Sequence, residues 1–156
     1  VCPWMLDDSH SFGDKGDKYN IKIWGMWNIF GEKLYNMPEE ENIRPWYYSW
    51  SLMCRYFPAG SDILESTSDT EGIHVVSAYF NGSLTVALLN LSGEDKKVSV
   101  ALPYALNSAK MYSYERDDYK KYENRPPMPD KTGINISGKI KVNIKSDSMV
   151  LITEID

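Results

Sequence analysis

NIRPWYYSWSLMCRYF, residues 42–57, followed at once by Pro58, Ala59 and Gly60, decides how the rest of the chain is read. Pro45 fits the first turn of a helix, where its missing N–H is not needed. Trp46, Trp50, Met53 and Phe57 then recur at spacings of four, three and four, which places them on one helical face. Tyr47, Leu52 and Tyr56 widen that face beyond the apolar stripe of an ordinary surface helix. Pro58 and Gly60 end it. A short helix carrying so many large rings must lie against a large apolar surface. It also divides the chain, because the residues before it and after it differ in kind.

Upstream, residues 1–9 (VCPWMLDDS) read as a short apolar strand that ends in two acids, Asp7 and Asp8. A buried strand that releases polar residues at its C-terminal end is the pattern found at the mouth of an α/β barrel. Residues 10–20 are loop-like, with Gly13 and Gly16 among charges. Asp14 and Asp17 lack the alternating acids of a calcium loop, so a solvated loop is expected. In residues 21–31 (IKIWGMWNIFG), core packing accounts for Ile21, Ile23 and Ile29. Trp24 and Trp27, straddling Gly25, either join that core or line a cleft for a flat, hydroxylated ligand. Glu39, Glu40 and Glu41 precede the helix and complement the positive end of its dipole.

Downstream the composition changes. Residues 61–72 form a polar connection, and β-rich runs follow at 73–79, 84–89, 97–102, 110–114, 134–144 and 149–155. Turn signals separate them: Asn81-Gly82, Ser92-Gly93, Asn107-Ser108 and Ser137-Gly138. Asn81-Gly82, with a β run on each side, is the strongest hairpin signal in the chain. Short strands at such spacing predict an antiparallel sandwich. Residues 112–130 are a longer excursion, charged and then proline-rich, that exceeds a hairpin turn.

Composition narrows the function. The 156 residues carry a net charge of -5 with no basic stripe, which argues against a nucleic-acid partner. No run of eighteen apolar residues exists, so no membrane partner is expected. Residues 1–4 do not read as a signal peptide, and the chain starts without an initiator Met, as a mature product or a piece of something longer would. Secreted and cytoplasmic settings both stay open. Five Trp and eleven Tyr stand against four Phe, a bias toward rings with a polar edge that suits half-wet, sugar-binding surfaces. Cys2 and Cys54 could pair only if the N-terminal segment lies beside the helix, and two buried thiols in apolar surroundings are the favoured reading. His10 and His74 are far apart and there is no CxxC, so neither a metal nor a cofactor is expected. Three N-x-S sequons, at Asn81, Asn90 and Asn135, read as turn chemistry rather than glycan sites.

The order of features resembles the C-terminal end of retaining glycoside hydrolases of the (β/α)8 clan, particularly β-xylosidase-like enzymes. The matches are Pro3, Trp4, Met5, Leu6, Asp7 and Asp8 for the last barrel strand and its loop, and Arg44, Pro45, Trp46, Tyr47 and Tyr48 for the helix opening. Residues 72–90 and 148–152 match the appended β-sandwich. The resemblance implies a mixed fold: the C-terminal end of a TIM barrel (one strand, one helix) over residues 1–60, then an all-β antiparallel sandwich over 61–156. It implies a carbohydrate substrate, contacted by Trp4 beside the cleavage point, Asp7 or Asp8 on hydroxyls, and Trp24 and Trp27 at the rim. One of the two aspartates would be structural. Retaining hydrolysis needs two carboxyls about 5 Å apart. Asp7 and Asp8, adjacent on a strand, point to opposite sides. The catalytic glutamates would therefore lie upstream of Val1, and this chain alone would be inactive. Its first sixty residues would need a partner surface, either the upstream barrel portion of the same protein or a second chain. The alternative is a non-catalytic carbohydrate-binding or structural sandwich, with Tyr79, Tyr104, Tyr112, Tyr119 or Tyr122 as its platform.

Overall fold

A computed structural model describes residues 6–10, 21–22 and 25–156. Trp4, Trp24, Cys2, Asp14 and Asp17 lie outside the described residues. The chain divides into two compact units, Val1–Tyr47 and Tyr48–Asp156.

The first unit contains a short antiparallel pair, β1 (Ser9–His10) and β2 (Ile21–Lys22), then helix α1 (Gly31–Tyr35) and a 3-10 turn (Pro38–Glu41). Ile29, expected in the core, is 59% exposed, because the chain turns there toward α1. The long helix α2 (Pro45–Tyr56) starts at this unit's end, at the proline anticipated for its first position.

In the second unit the remaining strands are β3 (Asp62–Leu64), β4 (Ile73–Phe80), β5 (Ser83–Asn90), β6 (Lys96–Ala101), β7 (Leu106–Glu115), β8 (Lys131–Ile136), β9 (Lys139–Ile144) and β10 (Ser148–Thr153). Six of them make one antiparallel sheet in the order β3-β4-β5-β10-β7-β8, and β6 and β9 make a second. Between the two sheets Leu84, Val86, Val150 and Ile152 meet Val98, Val142 and Ile144, which makes this a β-sandwich. Asn81 (φ 48°) and Gly82 (φ 87°) both take positive φ at the β4–β5 turn, the type I′ geometry that Asn-Gly favours. The apolar run at 134–144 is two strands, broken at Gly138 (φ 75°) so that β8 and β9 enter different sheets. The connection at 61–72 contains an unanticipated strand, β3, because residues 62–64 find the open edge of β4.

All six β10 residues are buried. Val150 and Ile152 face the sandwich core. Leu151 pairs in register with Tyr112, whose ring lies 5.0 Å from that of Tyr56 on α2. The helix thus covers the sheet's second face. Its buried stripe is Tyr48, Leu52 and Tyr56, at i, i+4 and i+8; Leu52 and Tyr56 belong to the expected face, but its expected centre, Trp46, Trp50, Met53 and Phe57, is not the buried part. The reason lies in the sheet: Tyr112 offers its hydroxyl to Tyr56, and Tyr119 and Tyr122 offer rings to Tyr48 at 6.2 and 4.7 Å. Burial of Leu52 stabilises by roughly 1.5–3 kcal/mol. Trp46 is 37% exposed. Cys54 is a free, exposed thiol rather than a buried one, since it sits two residues past Leu52 and points away from the sheet.

Candidate functional site

Residues 6–8 run beside residues 26–28. Met26 donates its N–H to the Leu6 carbonyl at 2.8 Å, Asp8 donates to the Trp27 carbonyl at 3.1 Å, and Asp7 and Trp27 form a parallel bridge. This approach is possible only because residue 25 is glycine: a Cβ there would fall 2.2 Å from the Asp7 carbonyl carbon and 2.5 Å from the Asp8 nitrogen.

Alternation along the strand gives the two acids different surroundings. Asp8 is buried, at 2% exposure. Arg44 grips both of its oxygens, Nη1 to Oδ1 and Nη2 to Oδ2, each at 2.6 Å, and the Gly25 N–H donates to Oδ1 at 2.9 Å. Arg44 also donates to the Gly25 carbonyl at 2.7 Å and to Glu40 at 2.6 Å. This bidentate fork with further bonds around it is the arrangement that makes a buried charge tolerable. Hydrogen bonding to Asp8, ahead of that to Glu40, holds the guanidinium firmly in its charged form against the opposing effect of burial.

Asp7 is half-buried and faces the other way, with Trp27 as its bridge partner. Its Oδ1 accepts the N–H of Asp8 at 2.8 Å and of Ile29 at 3.1 Å. Bridge partners present their side chains on one face of the pair, so a carboxylate and a half-buried indole share a surface. A carboxylate accepts sugar hydroxyl protons, and an indole face takes the apolar side of a sugar ring. Asn28, directly after Trp27, is fully buried; its Oδ1 accepts the Phe30 N–H at 3.0 Å, while its amide nitrogen has no partner among the described residues.

Of the residues expected to contact sugar, Asp7 pairs with Trp27 through a backbone bridge, while Asp8 turns inward to Arg44. Arg44 was expected only in the helix opening, and its pairing with Asp8 was not anticipated. A signal existed: a cation just before a helix N-terminus opposes the helix dipole and calls for a nearby carboxylate. Among the described residues, the tyrosines of the alternative platform stand in different settings. Tyr112 is buried at 2% exposure, Tyr119 and Tyr122 pack on Tyr48, and the exposed pair Tyr79 and Tyr104 stand edge to face at 89°. Asn90 is spent inside the fold: its side-chain nitrogen lies 2.8 Å from the Glu94 carbonyl and 2.9 Å from that of Lys145.

No protein-family model and no curated protein matches this chain. Among solved structures it is similar to a GH30 endoxylanase from Clostridium papyrosolvens, with a TM-score of 0.56 and 11% identity over 79% of this chain and 34% of that one. It is similar to a glycoside hydrolase family 30 subfamily 8 xylanase from Clostridium acetobutylicum, with a TM-score of 0.60 and 11% identity over 83% and 30%. For the catalytic domain of GH30 xylanase C from Talaromyces cellulolyticus the TM-score is 0.57, with 14% identity over 83% and 27%. The chain spans about a third of the length of these solved structures, and what it shares with that part of them is the fold.

Proposed function

We propose that residues 1–156 are the C-terminal portion of a β-xylosidase-like glycoside hydrolase whose catalytic carboxylates lie upstream of Val1. In this reading residues 1–60 are the last strand, loop and helix of a (β/α)8 barrel and residues 61–156 the appended sandwich. The sandwich stabilises the barrel, and the first segment supplies part of the sugar cleft. The backbone bridge that sets Asp7 beside Trp27 is the observation that carries the proposal. Trp4, beside the cleavage point, and Trp24, at the rim, are assigned further sugar contacts. Asp8, gripped by Arg44, takes the structural role and Asp7 the hydroxyl-binding one. The shared fold with part of three xylanase chains supports the reading. So do Leu6 (61%), Phe30 (39%) and Leu34 (43%), apolar side chains exposed in a unit of this size, as expected of a segment that needs a larger body beside it.

The test is Trp27→Ala, with Trp4→Ala beside it, in the complete enzyme acting on xylo-oligosaccharides. Loss of a stacked ring raises KM by about tenfold, equivalent to about 1.4 kcal/mol. Unchanged KM and turnover in both variants would remove the assigned roles. Saturable sugar binding by residues 61–156 alone would instead favour a binding module.

A further inference from the structure

The connection between β7 and β8 contains a stretch that belongs to neither sheet: Arg125, Pro126, Pro127, Met128 and Pro129. It leaves a 3-10 segment (Arg116–Tyr122) through a tight turn. There Glu123 (φ 50°) and Asn124 (φ 58°) both take positive φ, and the Arg125 N–H reaches the Tyr122 carbonyl at 2.9 Å. At the far end Asp130 donates its N–H to the Met111 carbonyl of β7 at 2.8 Å. Both ends are therefore fixed on the second unit. Between them the sequence dictates the conformation. Proline locks φ at about −65°, and a residue that precedes proline is driven from the helical region to the extended one, which here applies to Arg125, Pro126 and Met128. The conformation these limits select is polyproline II, with three residues per turn. Residues 126–129 carry a single backbone N–H, that of Met128, so they offer too few donors to extend a β-ladder.

A period of three gives the stretch three ridges: Arg125 with Met128, Pro126 with Pro129, and Pro127 by itself. Burial follows those ridges. Pro127 is buried, whereas Arg125, Pro126 and Met128 are exposed and Pro129 is half-buried. One ridge thus faces the unit and two face outward. Met128, at 76%, is the most exposed large apolar side chain among the described residues. Arg125 forms no ion pair among the described residues, so its charge is open to an outside acid. We propose that residues 125–129 are a docking ligand for a second protein, one whose groove is lined by aromatic rings and carries a carboxylate at one end. Proline and methionine side chains on the two outward ridges drop between the rings, and the indole and phenol edges of such a groove donate to the carbonyls between them. The carboxylate takes Arg125 and sets the direction in which the segment lies. Because both ends are already tied down, little chain entropy is lost on docking. The proposal stands independently of the hydrolase reading.

The test measures binding of the natural polypeptide that contains these residues to a panel of SH3 domains, chosen because each has an aromatic groove with an acidic residue beside it. Saturable binding is expected with at least one of them. Pro126→Ala weakens it about tenfold, Arg125→Glu by more than that, and added salt weakens the wild-type complex but not the residual binding of Arg125→Glu. Both side chains are exposed, so neither substitution moves the denaturation midpoint, which separates loss of docking from loss of fold. Absence of saturable binding across the panel overturns the proposal. Binding that survives both substitutions assigns the contact to another surface and overturns it as well. Binding by the 156-residue chain but not by the natural polypeptide shows that the rest of the protein covers the segment, and has the same consequence. None of these outcomes touches the hydrolase reading, which turns on sugar binding at residues of the first unit.

Discussion

Arg44→Met is the most informative perturbation of the first unit. The Asp8 side chain is fully buried and Arg44 retains 14% exposure. Asp8 accepts two guanidinium bonds at 2.6 Å and one amide bond at 2.9 Å. Replacing Arg44 by Met takes both guanidinium bonds and their charge away from a buried carboxylate, a change that costs about 3–5 kcal/mol. The partial exposure of Arg44, together with release of the more exposed Glu40, places the expected loss near the low end, about 3 kcal/mol. Glu40→Gln, which removes the outer arm of the network, should cost about 0–1 kcal/mol. Asp8→Leu combined with Arg44→Met should recover much of the loss, because an apolar pair of similar volume has no charge to strand. Urea unfolding followed by tryptophan fluorescence, with hydrogen exchange at the Asp8 and Met26 amides to localise the change, measures these three variants and Asp8→Leu alone. An Arg44→Met loss below about 1 kcal/mol, or single losses that simply add in the double variant, would refute the reasoning.

Two further outcomes follow from the second unit. Burial, and then the hydrogen bond with Tyr112, push the Tyr56 phenol above its ordinary value of 10.0, and burial does the same for Tyr122. A group with a raised folded value contributes its full stability below the unfolded value and loses it as pH rises toward the folded one. The unit should therefore hold its stability up to about pH 10 and lose it above, with phenolate absorbance rising together with loss of near-ultraviolet circular dichroism; tyrosines that ionise freely before any unfolding would contradict this. Gly82→Val puts a β-branched residue at φ 87° in the β4–β5 turn, and should cost about 1–3 kcal/mol, read as a lowered denaturation midpoint.

Local chemistry was legible in the sequence wherever neighbours along the chain decide the outcome. Pro45 opened the helix, Asn81-Gly82 made its turn, and alternating runs became strands, because dihedral preferences and side-chain period act within a few residues. The opposite facing of Asp7 and Asp8 followed from the same period. Other features depended on groups far apart in the chain. Arg44 and Asp8 stand thirty-six residues apart and meet only when the Asp7–Asp8 peptide closes on Gly25. The buried stripe of α2 was decided by Tyr112, Tyr119 and Tyr122, whose rings and hydroxyl partners favour Tyr48 and Tyr56 over the more hydrophobic Trp46 and Trp50. Whether the run at 134–144 was one strand or two depended on which sheet had an open edge on either side of Gly138. The sequence by itself determined the kind of element at each position, since that is set by local sterics and solvation. Tertiary structure decided which faces and which charges found one another, since those energies exist only once distant segments are packed together.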